Sequence, residues 1–214
     1  MKLLRKPLRM SLFQVRLLKG VLHGVILAYL LLTFNAAIND NLGADPVKAL
    51  LHFTGIGALN LLVITLIVSP AARYVPAPPL MRLRRMLGIY VFVYALAHLL
   101  TYIAFELQFD WSMVVGEIIK RPYITVGMVA LLLLTALTVT SPNKVRAAMG
   151  KRWQSLHNSI YLVLLLALLH FTWSRKTGLQ EPLIYWVIGL MLLFTRIKMF
   201  KSFFSKYLKK HTGN

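Results

Sequence analysis

The chain contains no cysteine. That excludes disulfides, thiolate nucleophiles, iron–sulfur clusters and cysteine-ligated zinc. Acidic residues are nearly as scarce: 214 residues carry six, namely Asp40, Asp45, Glu106, Asp110, Glu117 and Glu181. Charged residues of both signs make up 14%, against roughly 25% in an ordinary soluble domain. None of the six carboxylates lies in the middle of a long apolar run. A carboxylate-rich metal centre, or a proton relay built on a buried carboxylate, therefore has no ligand supply there. The chain also has no dinucleotide fingerprint. The nearest string, Gly55-Ile56-Gly57, lies in an apolar run without a third glycine or a preceding strand.

What is abundant is apolar surface. Hydrophobic residues make up 58% of the chain and the mean hydropathy is +0.67, the composition of an integral membrane protein. A span needs about 20 apolar residues. Six candidates result, at about 20–38, 50–70, 86–106, 121–140, 153–174 and 182–199. The fold class expected is an all-α integral membrane protein, a six-transmembrane-helix bundle. It divides into a basic N-terminal segment (1–19), the membrane domain (20–199) and a basic tail (200–214). The start, MKLLRKPLRM, is basic and leads into a span-length run without a small-residue cleavage site, so the first span is expected to stay uncleaved.

The net charge of +19 could mark a nucleic-acid footprint, but the basic residues cluster between apolar runs, where membrane topology places them. With the N-terminus inside, 20 basic residues face the cytoplasm and five (Lys48, Lys120, Arg121, Arg175, Lys176) face outward with all six acidic ones. Both termini are then cytoplasmic. The loops are too short for a catalytic domain, so the chemistry is intramembrane or belongs to a partner, and nucleic acid is not among the partners expected.

Ionisable residues within spans are functional candidates. His23 and His52 open spans one and two, where interfacial or helix–helix roles are ordinary; His98 lies within span three, and His157 and His170 within span five. At 1.5 Å per residue, His98 lies about 18 Å and His170 about 25 Å from the inner ends of their spans, and His157 only about 6 Å. Two imidazoles near one level on two helices are what axial ligation of one b-type haem requires. His157 has no histidine opposite it, so a second haem is poorly supported. Thirteen residues of ideal helix also leave His157 and His170 roughly 140° apart, so they share no face unless span five is bent or unwound. Zinc would need three or four converging ligands. A proton-coupled pathway through the histidines is the alternative from another class.

Four stretches carry a resemblance: ADPVKALLHFTG (44–55), RLRRMLGIYVFVYALAHLLTY (82–102), GKRWQSLHNSIYL (150–162) and PLIYW (182–186). Together they resemble the MsrQ (YedZ) family of the ferric-reductase-like transmembrane superfamily, from about residue 40 to 200. The resemblance implies a b-type cytochrome of the bacterial inner membrane. It would pass electrons from the quinone pool to a periplasmic MsrP-type molybdenum reductase that repairs methionine sulfoxide in oxidised proteins. The family's haem-associated histidines correspond to His98, His157 and His170; of these the matching heights single out His98 and His170 as the metal ligands expected. The family's FMN is expected near Arg84 and Arg85, with Arg152 beside them. His52 is the residue suggested for the quinone, and the acidic outer loops are candidates for steering the partner. Another quinol-linked transmembrane haem reductase is the nearest alternative.

Overall fold

Ser11 and Gln14 cap each other reciprocally, at 3.2 and 2.8 Å. This capping box lets the first helix, α1 (Leu12–Ile38), begin well before the apolar run does. The computed structural model describes residues 10–74, 81–175 and 178–211, with backbone alone for 73, 74 and 196–211. Residues 1–9 of the basic N-terminal segment, Lys176 and the last three residues of the tail lie outside it. After α1 come α2 (Pro46–Tyr74) and α3 (Arg84–Thr101), which runs on through one π-helical turn, Tyr102–Glu106. A short α4 (Trp111–Lys120) precedes α5 (Pro122–Val139). Then follow α6 (Asn143–Met149), α7 (Lys151–His157), α8 (Ile160–Ser174) and α9 (Gln180–His211). No strand occurs among the described residues.

Local chemistry sets several of these boundaries. The Asp45 carboxylate accepts from the Lys48 N–H at 2.9 Å in the first turn of α2, and Asp110 accepts from the N–H groups of Ser112 and Met113 to cap α4. Pro122 occupies the first turn of α5, where its missing N–H costs nothing. Gly150, at φ +53°, separates α6 from α7 in a conformation that favours glycine.

Five helical stretches are long and apolar enough to cross a membrane: Leu12–Ile38, Pro46–Ala72, Arg84–Glu106, Pro122–Val139 and Lys151–Ser174. The sixth expected span corresponds to a shorter apolar stretch, Gln180–Thr195. Its helix continues to His211, into the basic tail. Large apolar side chains remain exposed all round, among them Leu32 at 66%, Leu132 at 62% and Leu190 at 53%. Helices apolar on every face need a lipid surround.

The interior is built from two helix pairs, α2 with α3 and α5 with α8, with α3 also meeting α5. Small residues set the approach. A Cβ on Gly57 would come within 2.5 Å of the Tyr94 ring, and one on Gly189 within 2.8 Å of Leu168. Close backbone contact of this kind drives helix association where lipid and core are equally apolar. Buried Thr54, Thr65 and Thr101 each donate to the carbonyl four residues earlier, so none of these three hydroxyls is stranded. α1 stands apart, burying only Val15 and Leu30. Two tyrosines of α3 tie it in: the Tyr94 hydroxyl donates to the Ile26 carbonyl at 2.9 Å, and Tyr90 meets His23 Nδ1 at 2.7 Å. His23 is thus a helix–helix hydrogen-bonding residue.

Candidate functional site

Two of the expected histidines come together. The rings of His98, from α3, and His170, from α8, have centroids 6.1 Å apart and planes at 89°. His98 Nδ1 lies 2.9 Å from the Leu51 carbonyl of α2, and His170 Nδ1 lies 2.6 Å from the Tyr123 carbonyl of α5. A carbonyl can only accept, so Nδ1 is the protonated nitrogen in both rings and each Nε2 keeps its lone pair. Donation of the second ring nitrogen to a backbone carbonyl is the usual support of a metal-binding imidazole.

Glycine makes both contacts possible, by the same device. In a helix each Cα–Cβ bond tilts toward the N-terminus, so a side chain at one position covers the carbonyl a turn earlier. Gly55 lies one turn after Leu51, and a Cβ there would come within 3.2 Å of the His98 ring. Gly127 lies one turn after Tyr123 and leaves the corresponding opening for His170. Gly57, two residues after Gly55, serves helix packing against Tyr94. Gly55 makes room for a ring.

Both rings line one cavity of about 370 Å³ enclosed by α2, α3, α5 and α8, within the size range of small-ligand sites. Its walls are apolar (Leu59, Ala95, Leu131, Ala167), and buried Leu62, Leu134 and Val163 lie towards its inner part. Its polar groups gather at the end of the bundle that holds the acidic residues, where Lys48, His52, Ser174 and Arg175 join the lining. Among the described residues no three of His, Asp and Glu converge, so a metal held between His98 and His170 would take its remaining ligands from a bound group. Two rings holding one ion at a bond length of about 2 Å each need centroids roughly 6 Å apart, and these residues fit that requirement.

A hydrogen-bonded clamp closes over the acidic end. Glu117 of α4 accepts from the Tyr102 hydroxyl at 2.9 Å and pairs with Arg121 Nε at 2.6 Å. Arg121 in turn donates to the Tyr123 hydroxyl at 3.1 Å. Tyr102 lies one turn beyond His98, in the π-helical turn, and Tyr123 supplies the carbonyl that holds His170. The clamp therefore joins the two ring-bearing supports. Isolated π-helical turns are common at functional sites. His52 lies at the rim of the cavity, 3.5 Å from Glu181.

His157 stands elsewhere, at the basic end. Its ring stacks on Trp153 with centroids 3.9 Å apart, and its Nε2 lies 3.0 Å from the Thr140 hydroxyl. Trp153 donates to the Thr140 carbonyl and carries the Arg146 guanidinium over its ring at 4.7 Å. It is thus a partner of His157. Arg85 donates to Asn143 at 3.2 Å, Arg84 lies near enough to act electrostatically on His157, and Arg152 is exposed. A surface hollow here is lined by Asn143, Arg146, Gly150 and Trp153. Asn158 and Ser159 interrupt the helix between α7 and α8, and His157 and His170 still belong to separate clusters.

Sequence reasoning missed Gly127, Tyr123, Tyr102 and the clamp. Their signals are single residues, readable only once two helices are known to touch.

The profile of the ferric reductase like transmembrane component family matches residues 54–168. Relatives from Salmonella newport, Salmonella typhi and Salmonella arizonae are each 44% identical over 196 residues, covering 91% of this chain and 98% of theirs. Each is named as the heme-binding subunit MsrQ of protein-methionine-sulfoxide reductase. No solved structure matches. A four-helix cavity with two backbone-braced histidines, and a likeness that runs over nine-tenths of the chain, lead to one assignment: the chain belongs to the MsrQ family of ferric-reductase-like transmembrane proteins.

Proposed function

We propose that this chain is the haem-binding membrane subunit of a methionine sulfoxide reductase system, holding one b-type haem between His98 and His170. The observation that carries this reading is the pair of rings 6.1 Å apart, each with Nδ1 given to a backbone carbonyl. A haem bound there supplies a one-electron relay inside the bilayer. The chain's own residues orient the two nitrogens, keep an apolar wall around the site and exclude bulk water from it.

The route runs from the quinone pool, or from FMN at the basic end, toward a periplasmic molybdenum-containing reductase at the acidic end. Positive-inside asymmetry supports that direction, with both termini in the cytoplasm of a bacterium and the chain in its inner membrane. Arg84, Arg85 and Arg152 are the candidates for the flavin phosphate, with His157 as the aromatic neighbour, and His52 at the cavity rim is the candidate for the quinone. Of the acidic residues expected to face the partner, Asp45 and Asp110 cap helices and Glu117 serves the clamp. Asp40 and Glu106, both exposed, are left for steering.

The test is the visible spectrum of the purified chain, oxidised and dithionite-reduced. A Soret band with sharp reduced low-spin bands is expected, lost in His98→Ala and in His170→Ala. A chain purified with haem available and lacking the band, or variants that keep it, would overturn the reading.

A further inference from the structure

One buried donor at the cavity has no partner. Arg175 Nε is shielded from solvent and makes no hydrogen bond among the described residues. Its Nη2 lies 3.8 Å from Glu181, beyond hydrogen-bond range. His52 competes for the same carboxylate, at 3.5 Å. Lys48, also on the cavity lining, makes no ion pair among the described residues. Arg175 and His52 thus share a single carboxylate at marginal distances, with Lys48 also on the rim of a cavity whose walls are apolar. A buried unsatisfied donor in a native fold calls for an explanation, and an arginine on the rim of an apolar cavity is suited to a carboxylate.

Building on the haem reading, we propose that Lys48, His52 and Arg175 form a carboxylate-binding rim that receives the propionate groups of the porphyrin. The position suits this role. Lys48 and His52 flank Leu51, whose carbonyl holds His98, and Arg175 follows His170 by little more than one turn. The rim therefore sits beside both ring nitrogens, at the end of the cavity nearest the acidic loops. Glu181 holds the rim together when no propionate is bound and competes with it when one is.

The test uses the full chain in detergent, prepared without haem and titrated with protohaem or with its dimethyl ester, which has the same ring and no free carboxylates. Wild type is expected to prefer the free acid. Lys48→Gln with Arg175→Gln is expected to bind the free acid roughly tenfold or more weakly while its affinity for the ester stays unchanged. Glu181→Gln, which removes the competing carboxylate, is expected to tighten binding of the free acid. This opposite sign separates a rim effect from misfolding. Equal affinity of wild type for both porphyrins, or equal loss of both in the double variant, would overturn the rim. Failure of wild type to bind either porphyrin at His98 and His170 would instead remove the haem reading on which the rim rests, and the rim with it.

Discussion

Gly127 stands where any larger residue would strike the His170 imidazole: a Cβ there would lie 2.7 Å from Nδ1 and 2.9 Å from Cε1. The ring cannot retreat without giving up its 2.6 Å bond to the Tyr123 carbonyl. Gly127→Ala should therefore cost about 1–3 kcal/mol of stability, the usual penalty of overpacking, and most of the bound haem. Gly55→Ala, with its nearest approach at 3.2 Å, should keep haem and lose less stability. Haem-to-protein ratio and thermal melting measure both. A wild-type ratio in Gly127→Ala would show that the notch is not needed.

The 89° between the His98 and His170 planes has a spectroscopic consequence. Perpendicular axial imidazoles leave the iron d orbitals that interact with the rings nearly equal in energy, whereas parallel rings separate them. The oxidised protein should give a highly anisotropic low-spin EPR signal with one strongly shifted feature. A three-line rhombic spectrum would mean that the rings turn parallel when the metal binds.

Much of this arrangement was legible in the sequence. The heights of His98 and His170 follow from counting residues along apolar runs, because the helical rise is fixed. The separation of His157 from the pair follows from the same arithmetic. What could not be read is lateral. Nothing in VGMVALLLL distinguishes Gly127 from a residue facing lipid until α5 is known to meet α8. In the sequence the segment of α4 reads as loop, because it is short and lies between two spans. Glu117 reads there as a partner-facing carboxylate, since its bond to Tyr102 joins residues on different helices and leaves no trace in the sequence.

The Tyr102–Glu117–Arg121–Tyr123 clamp can be tested as a unit. Glu117→Ala would leave the Tyr102 hydroxyl without its acceptor and Arg121 without its ion pair. A loss of about 1–3 kcal/mol is expected for stranding such partly buried groups. Tyr102→Phe should cost less, and the double variant should lose less than the two single losses added together, because both remove one bond. Melting curves in detergent give the coupling. Strict additivity would mean that Tyr102 and Glu117 act independently.

At the basic end, the stack of His157 on Trp153 and its bond to Thr140 leave it distant in role from the paired rings. His157→Ala should keep the low-spin spectrum of the His98–His170 centre. Arg84→Ala combined with Arg85→Ala should lower bound FMN roughly tenfold or more, since each guanidinium that meets a phosphate contributes a charge-assisted bond. Asn143→Ala should act in the opposite direction or not at all, because it releases Arg85 from its 3.2 Å hydrogen bond. Fluorescence of flavin released from purified protein gives the occupancy, and the haem band in the same sample serves as the internal control. Unchanged FMN in the double arginine variant would leave those residues the single role of fixing topology.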